Sequence, residues 1–391
     1  MLQYLFLFLI FAIMAISNIR LARKEGMPGR WLAHLQLLLV FHLGMVAVFT
    51  YYIGKSGGDS TGYWHLEGPL ANPDADSWGD YFGIGYPFMY WLNYIPSRVL
   101  GWTWWTGNVL YAFIGFLGFR YLSLLVYDHF KHSLKLGGLP VILLVLYFPN
   151  LHFWTAGVGK EALCLWAIGG ILYGLSKFEG NRYKLLVLLG LCLLFMVRTY
   201  LVVIMILAIL ITLLLDIKKQ AKWKVWAIAC GSLILMLLMP LFLWYSGFRD
   251  LESIDILAIS KNQLRMLSGE GIGSSVPMLE YGQFFRFLTY WFRPMVWEWS
   301  GQFFVFAAGV ENGVDLILII GLFIAWRWNN WQNCPFFLKL APVLFLVSTV
   351  LYANILGNMG IMMRLKSPFM VLLLLFLAWM GKRDECKENS Q

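Results

Sequence analysis

This sequence predicts an all-α fold, a polytopic helical membrane protein of about eleven transmembrane or re-entrant helices. Three observations carry that expectation. Of 391 residues, 60% are hydrophobic and 13% charged, with a mean hydropathy of +0.68; a soluble protein carries about 25% charged residues. The apolar runs are long and continuous, which excludes the alternating short segments of a β-barrel. The net charge is +9, and Lys and Arg gather in alternate connections, as the positive-inside rule requires.

Taken in order, Leu2 to Ser17 is apolar without a basic start, so it reads as a retained first span and not a cleaved signal. Arg20, Arg23, Lys24 and Arg30 mark the next connection as cytoplasmic, which puts the amino terminus outside. Trp31 to Ile53 returns outward, and a polar, aromatic outer loop runs over about 54–102. Trp102 to Val126 comes back to His129, Lys131 and Lys135. From Leu139 to Asp216 the chain is almost wholly apolar but broken at 149–161 and at 198–200. The runs between are roughly 12 to 17 residues, short against the usual ~20, and read as two hairpins. Lys177, Arg182 and Lys184 lie between them; Lys218, Lys219, Lys222 and Lys224 follow. Were Leu185 to Asp216 one span, one of those basic clusters would fall outside.

Val225 to Tyr245 goes out. A second outer segment covers about 246–309, with an amphipathic stretch (Ile254, Leu257, Ala258, Leu264, Leu267), glycines at 269, 271 and 273, and an aromatic run. Gly313 to Trp326 goes in towards Arg327 and Lys339, Leu340 to Leu356 goes out, and Phe369 to Met380 ends on a cytoplasmic carboxyl terminus. The whole reads as one integral membrane domain. Cys164, Cys192, Cys230, Cys334 and Cys386 form no CxxC pair and avoid the outer loops, which argues against a disulfide framework or a metal site. Most of the 19 Trp and 19 Tyr suit interfacial belts.

Candidate chemistry collects on the outer face. Asp59, in GDSTGYW (58–64), is placed to take a proton from an attacking hydroxyl, with Tyr63 and Trp64 to stack on a sugar; the plainer reading is a helix-capping acid. Charge inside hydrocarbon costs about 2.5–3.5 kcal/mol even on the lower scale, so Lys160 and Arg198 at the two breaks are expected to share a polar chamber. Lys160 and Glu161 are adjacent and so face different ways on a helix. Arg198 has no carboxylate within a turn and suits a phosphate bidentately; the alternative is a structural pair with Glu161 or Glu298. His152 is a weaker candidate, since a lone His is more often a hydrogen-bonded core residue. Arg293 and Glu298 lie in an aromatic belt with Pro294, where snorkelling arginines are common. Arg364 and Lys366 stand where the positive-inside rule disfavours them, which asks for an anionic partner. Lys160, Arg198, Arg293 and Arg364 together suggest an outward cationic pocket for a lipid-linked phosphate or pyrophosphate. No Walker loop or dinucleotide fingerprint occurs. The chain therefore calls for no nucleotide, nucleic acid or other cofactor, while a divalent metal at the acid stays open.

GDSTGYW (58–64), FWTAGVGKEAL (153–163), VRTY (197–200), FRPMVWEW (292–299) and NMGIMMRLKSPF (358–369) resemble bacterial multi-span proteins of exopolysaccharide and capsule pathways. These are the oligosaccharide repeat-unit polymerases of the Wzy and EpsG-like type, which share architecture with lipid-dependent GT-C glycosyltransferases. The resemblance implies transfer of a glycan from a polyprenyl-pyrophosphate donor to an acceptor hydroxyl, on the outer face of the cytoplasmic membrane and beside other polysaccharide-assembly proteins. Asp59 matches the first-outer-loop acid of the GT-C enzymes, but it follows the second span instead of the first and lacks a paired acid. Of the family's pattern only arginines carry over, onto Arg198, Arg293 and Arg364, with Glu298 as the other candidate base. A flippase or transporter of a lipid-linked or anionic solute, and a non-catalytic assembly protein, are the competing expectations.

Overall fold

The computed structural model describes residues 2–68, 71–130, 133–216, 222–245, 256–267, 274–299 and 303–382. The chain divides into two compact units, Met1–Thr199 and Tyr200–Gln391, a division no run of polar or flexible residues announces in the sequence. Of the residues named above, Lys131, Lys218, Lys219, Ile254, Cys386 and the glycines at 269, 271 and 273 lie outside the described residues.

The first unit contains α1 (Leu2–Lys24), α2 (Gly29–Ser56), α3 (Asp59–His65), α4 (Tyr86–Asn93), α5 (Trp104–His129), α6 (Pro149–Thr155), α7 (Lys160–Ser176) and α8 (Asn181–Val197). Each long helix follows a run rich in Leu, Ile, Val and Phe. Its neighbour begins after a breaker, such as the positive-φ Gly26 or Gly57. At the centre, α5 packs against α2 and α7, and α7 packs in turn on α8. Small residues permit this: a Cβ on Gly118 would stand 2.6 Å from the Leu165 carbonyl oxygen, and one on Gly169 2.9 Å from that of Gly118. Close backbone approach of this kind is how helices associate where lipid removes the hydrophobic drive. Leu5, Phe8 and Ile13 on α1 are exposed, an apolar face fitted to lipid.

The expected apolar run from Leu139 is not helical at its start. β1 (Lys135–Leu136) pairs antiparallel with β2 (Leu139–Pro140) around Gly137 and Gly138, both at positive φ, and 141–147 forms 3₁₀ turns. Pro140 and Pro149 bracket that stretch and remove the backbone donors a longer helix needs.

The second unit holds α9 (Thr199–Leu215), whose first residue sits at the junction, α10 (Lys222–Tyr245), α11 (Ile256–Leu267), α12 (Gln283–Phe292), α13 (Phe303–Ile324), α14 (Asn329–Gln332), α15 (Phe336–Tyr352) and α16 (Met359–Met380). α16 packs along α15 and α13. It begins ten residues before the expected Phe369 and runs through Pro368, so Arg364 and Lys366 are helical. Lys339, expected in a loop, lies within α15 and is buried. Its Nζ reaches Asp216 Oδ1 at 3.0 Å, which satisfies the buried charge.

Among the described residues, five helices are long and apolar enough to cross a membrane: α1, α2, α5, α13 and α16. A sixth arises if α6 and α7, bent by 114°, count as one. Three shorter apolar helices accompany them, Thr199–Leu215, Val225–Leu237 and Phe336–Tyr352. The chain is thus a multi-pass helical membrane protein; among the described residues several further apolar runs make helices of 17 residues, at the short limit of about 17–25 for a span.

Overfilling the α5–α7 contact tests this packing. Gly118→Val should lower stability by about 1–3 kcal/mol in detergent thermal unfolding. Gly44→Ala, where a Cβ meets nothing within 4 Å, should be neutral or slightly stabilising.

Candidate functional site

The site is built at the break between α6 and α7. Ala156, Gly157, Val158 and Gly159 interrupt the helix, and the freed backbone is satisfied from neighbouring helices. Val158 N–H donates to Asn108 Oδ1 on α5 at 2.8 Å, and Asn108 Nδ2 donates to Thr50 Oγ1 on α2 at 2.9 Å. Gly157 lies so close under the Phe49 ring that no Cβ fits. The break is therefore fixed from two sides, as non-helical backbone within an apolar bundle must be.

At the first residue of α7, Lys160 is only 9% exposed. Its ammonium stands 3.8 Å from the ring centre of Tyr86 and 5.8 Å from that of Tyr63, a cation–π arrangement. Among the described residues Nζ makes no hydrogen bond and no ion pair, so its three N–H groups have only aromatic faces. Glu161 turns the other way and pairs with Arg198, itself 8% exposed. A Cβ at position 159 would lie 3.1 Å from Glu161 Oε2, so the carboxylate folds back over the helix start, where the dipole favours it. Arg198 caps α8, its own N–H bonding Leu194 O at 2.7 Å. Gly85 N–H donates to Met196 O at 2.8 Å, which ties the start of α4, and so Tyr86, to the end of α8. Asp59, Glu161 and Arg198 all lie within electrostatic reach of Lys160. Lys160 and Arg198 thus stand within electrostatic reach of each other in the first unit, and Arg198 takes Glu161, the structural pair that is its alternative reading.

Beside this cluster opens a cleft of about 300 Å³ lined by Asp59, Tyr63, His65, Glu67, Tyr86, Tyr90, Thr61 and three glycines. Asp59 opens α3. Gly62 cannot carry a Cβ, which would meet the Glu67 carbonyl oxygen at 2.8 Å, and Gly58 and Gly68 hold φ of +150° and +135°. Burial, then Asp59, pushes the Tyr63 phenol well above its ordinary range, and burial raises Tyr90 as well. Both hydroxyls therefore stay protonated; Tyr90 gives its proton to Glu67 O at 3.3 Å, which leaves its oxygen to accept from a ligand, while Tyr63 can donate.

Trp64, expected to stack on a sugar, is 1% exposed. Its Nε1 donates to Trp102 O at 3.1 Å and its ring covers Gly107. Neighbouring positions on a helix point apart, so Tyr63 faces the cleft and Trp64 the core. His152 is also a core residue. It stacks on Phe119 at 3.9 Å; Nε2 donates to Leu146 O at 2.6 Å, leaving Nδ1 to accept from His42 at 2.9 Å.

In the second unit, Arg293 pairs with Glu298 through Nε at 2.6 Å and through Nη2, and Nη1 reaches Tyr281 Oη at 3.3 Å. Glu298 also accepts the Met295 N–H at 2.7 Å. Its carboxylate is occupied by a local turn, which weakens its candidacy as a base. Lys366 is held by protein acceptors, with the Asp315 and Glu311 carboxylates within electrostatic reach: Nζ donates to Trp291 O at 2.6 Å, Arg293 O at 3.4 Å and Asn312 Oδ1 at 2.8 Å. It closes the end of α12, a usual task for a cation there. Arg364 is half-buried two residues earlier on α16. Asn312 and Asp315, polar residues one turn apart in apolar α13, are both buried beside this lysine; that polar pair in an apolar run was the signal to find them. Among the described residues no three His, Cys, Asp or Glu side chains stand together to hold a metal.

No protein-family model, no curated protein and no solved structure matches this chain.

Asn108→Leu should cost about 1–3 kcal/mol by orphaning the Val158 N–H, read by thermal unfolding and by faster amide exchange at 156–159. In the turn at 77–81, Asp80 accepts from Ser77 Oγ (2.8 Å), Ser77 N (2.8 Å) and Asp76 N (3.2 Å), which holds its carboxyl below the ordinary range. A depressed acid stabilises above its unfolded pKa, about 3.9, and that contribution fades as pH falls through the folded value. Protection from amide exchange at 76–82, relative to the intrinsic rate at each pH, should fall on acidification below about pH 4, and Asp80→Asn should remove that pH dependence.

Proposed function

We propose that this chain is a membrane glycosyltransferase of the repeat-unit polymerase kind, transferring a glycan from a polyprenyl-(pyro)phosphate carrier to an acceptor sugar. The observation that carries the reading is Lys160: a buried ammonium with no oxygen acceptor among the described residues, beside a tyrosine-lined cleft that also holds Asp59. Such a cation is costly in an apolar bundle unless a ligand completes it, and a charge-assisted bond to phosphate does so.

In the reaction, Asp59 takes the proton from the acceptor hydroxyl as that oxygen attacks the anomeric carbon. The bond between this carbon and the phosphate oxygen breaks, and its electron pair leaves with the pyrophosphate. Lys160 meets the negative charge that develops there. Tyr63, protonated, donates to a sugar oxygen, Tyr90, whose O–H is given to Glu67 O, accepts from a sugar hydroxyl, and Tyr86 offers an aromatic face. About 300 Å³ is the low end for a ligand pocket, so the cleft holds a terminal sugar while the rest of the glycan stays outside. The charge pattern of the loops supports a site on the outer face of a bacterial cytoplasmic membrane, with the amino terminus outside and the carboxyl terminus cytoplasmic. Arg293 and Glu298, bound to each other, receive no step.

One feature favours a second reading. A helix bent by 114° with a cation at the break is a device transporters use at substrate sites. A flippase would leave lipid-linked units trapped on the inner leaflet when the chain is deleted, whereas a polymerase leaves single repeat units outside. In the deletion strain, re-expressed Asp59→Asn should insert normally but reduce polymer formation by roughly 10²–10⁴-fold, with single units accumulating. Full-length polymer from a well-expressed Asp59→Asn protein would remove Asp59 from the reaction.

A further inference from the structure

We infer that Arg198 is a positioning residue whose work is to keep Glu161 away from Lys160, so that Lys160 stays open to the anionic group of the ligand. The inference rests on the reading of Lys160 as ligand-facing and goes beyond it by assigning the ion pair a role.

Lys160 and Glu161 are consecutive residues of opposite charge in the first turn of α7, both within a poorly solvated pocket. Successive helix positions diverge by about 100°, which alone does not separate two long side chains. Left to themselves, a buried ammonium and a buried carboxylate would close on each other, because each is otherwise an uncompensated charge. The structure shows the opposite outcome: the carboxylate is held by the Arg198 guanidinium and the ammonium rests on Tyr86. Arg198 occupies the break between α8 and α9, where the chain leaves helical geometry (φ −151°, ψ 86°). The Gly85–Met196 bond fixes that point against the start of α4. The two breaks thus meet to separate one pair of neighbouring charges. The group Lys160 awaits is a phosphate, pyrophosphate or carboxylate, since the ammonium offers three donors and no acceptor.

Pairing of Arg198 with Glu161 distinguishes this role from direct phosphate binding. If Arg198 bound the anion itself, its planar fork would matter and lysine would not replace it. If it only holds Glu161, a lysine suffices, and removing the Glu161 charge makes it dispensable.

The test uses the full chain in detergent, with decaprenyl pyrophosphate, inorganic pyrophosphate and uncharged decaprenol as probes and thermal unfolding as the folding control. Lys160→Ala should lose pyrophosphate-dependent binding, and its retention would overturn the reading of Lys160 itself. Given that loss, Arg198→Ala should weaken binding roughly tenfold or more. The double variant Arg198→Ala/Glu161→Gln should recover most of it, and Arg198→Lys should bind nearly as the wild type does. Folded Arg198→Ala that binds normally, a double variant that stays defective, or a defective Arg198→Lys would each overturn the inference. Should Arg198→Ala not fold, Arg198→Lys alone decides. Binding of inorganic pyrophosphate as tight as the lipid form supports recognition of the phosphate alone; binding of the lipid form only supports recognition that includes the carrier.

Discussion

The site of this protein depends on two neighbouring charges being kept apart. Lys160 and Glu161 follow each other in an apolar chain, and in a weakly screening interior opposite charges at contact attract strongly. Everything around them serves to give each a different partner. Asn108 and Phe49 fix the break before α7, so the helix begins where it does. Arg198 arrives from a second break to take the carboxylate, and α4 brings Tyr86 beneath the ammonium.

That arrangement explains why the two breaks belong together. A helix interrupted inside a bundle must find acceptors and donors for its freed backbone, and here polar side chains of α2 and α5 supply them. Once such interruptions are stabilised, they are the natural places to put charge, because continuous helix offers no cavity. The second unit uses charge differently. Lys366 and the Arg293–Glu298 pair satisfy carbonyls and turns around α12, so one buried and two half-buried ions there hold a short helix in place. Identical residue types thus line the surroundings of a cleft in one unit and cap a helix in the other, and only their partners tell them apart.

Much of the fold was legible before any coordinates. Length and continuity of the apolar runs gave helices near Leu2, Trp31, Trp102 and Val225, since periodic burial in lipid needs little besides composition. Both breaks were legible too, because Gly157, Gly159, Lys160 and Arg198 violate an otherwise apolar pattern. Less visible were the ends. α16 runs through Pro368, whose missing donor its surroundings tolerate, and the stretch after Leu139 winds as 3₁₀ turns between two prolines although its residues are as apolar as a span.

By itself, the sequence determined the class of the protein, the positions of its two interruptions and the presence of stray cations, because those follow from local composition and the cost of charge in hydrocarbon. Tertiary structure alone decided what each cation meets. That Arg198 holds Glu161, that Lys160 is left to tyrosine faces, that Trp64 and His152 are buried while Tyr63 lines the cleft, all turn on which helix lies opposite and at what rotation. Partners 37 residues apart in the chain, or a step of one residue around a helix, leave no mark in a linear pattern.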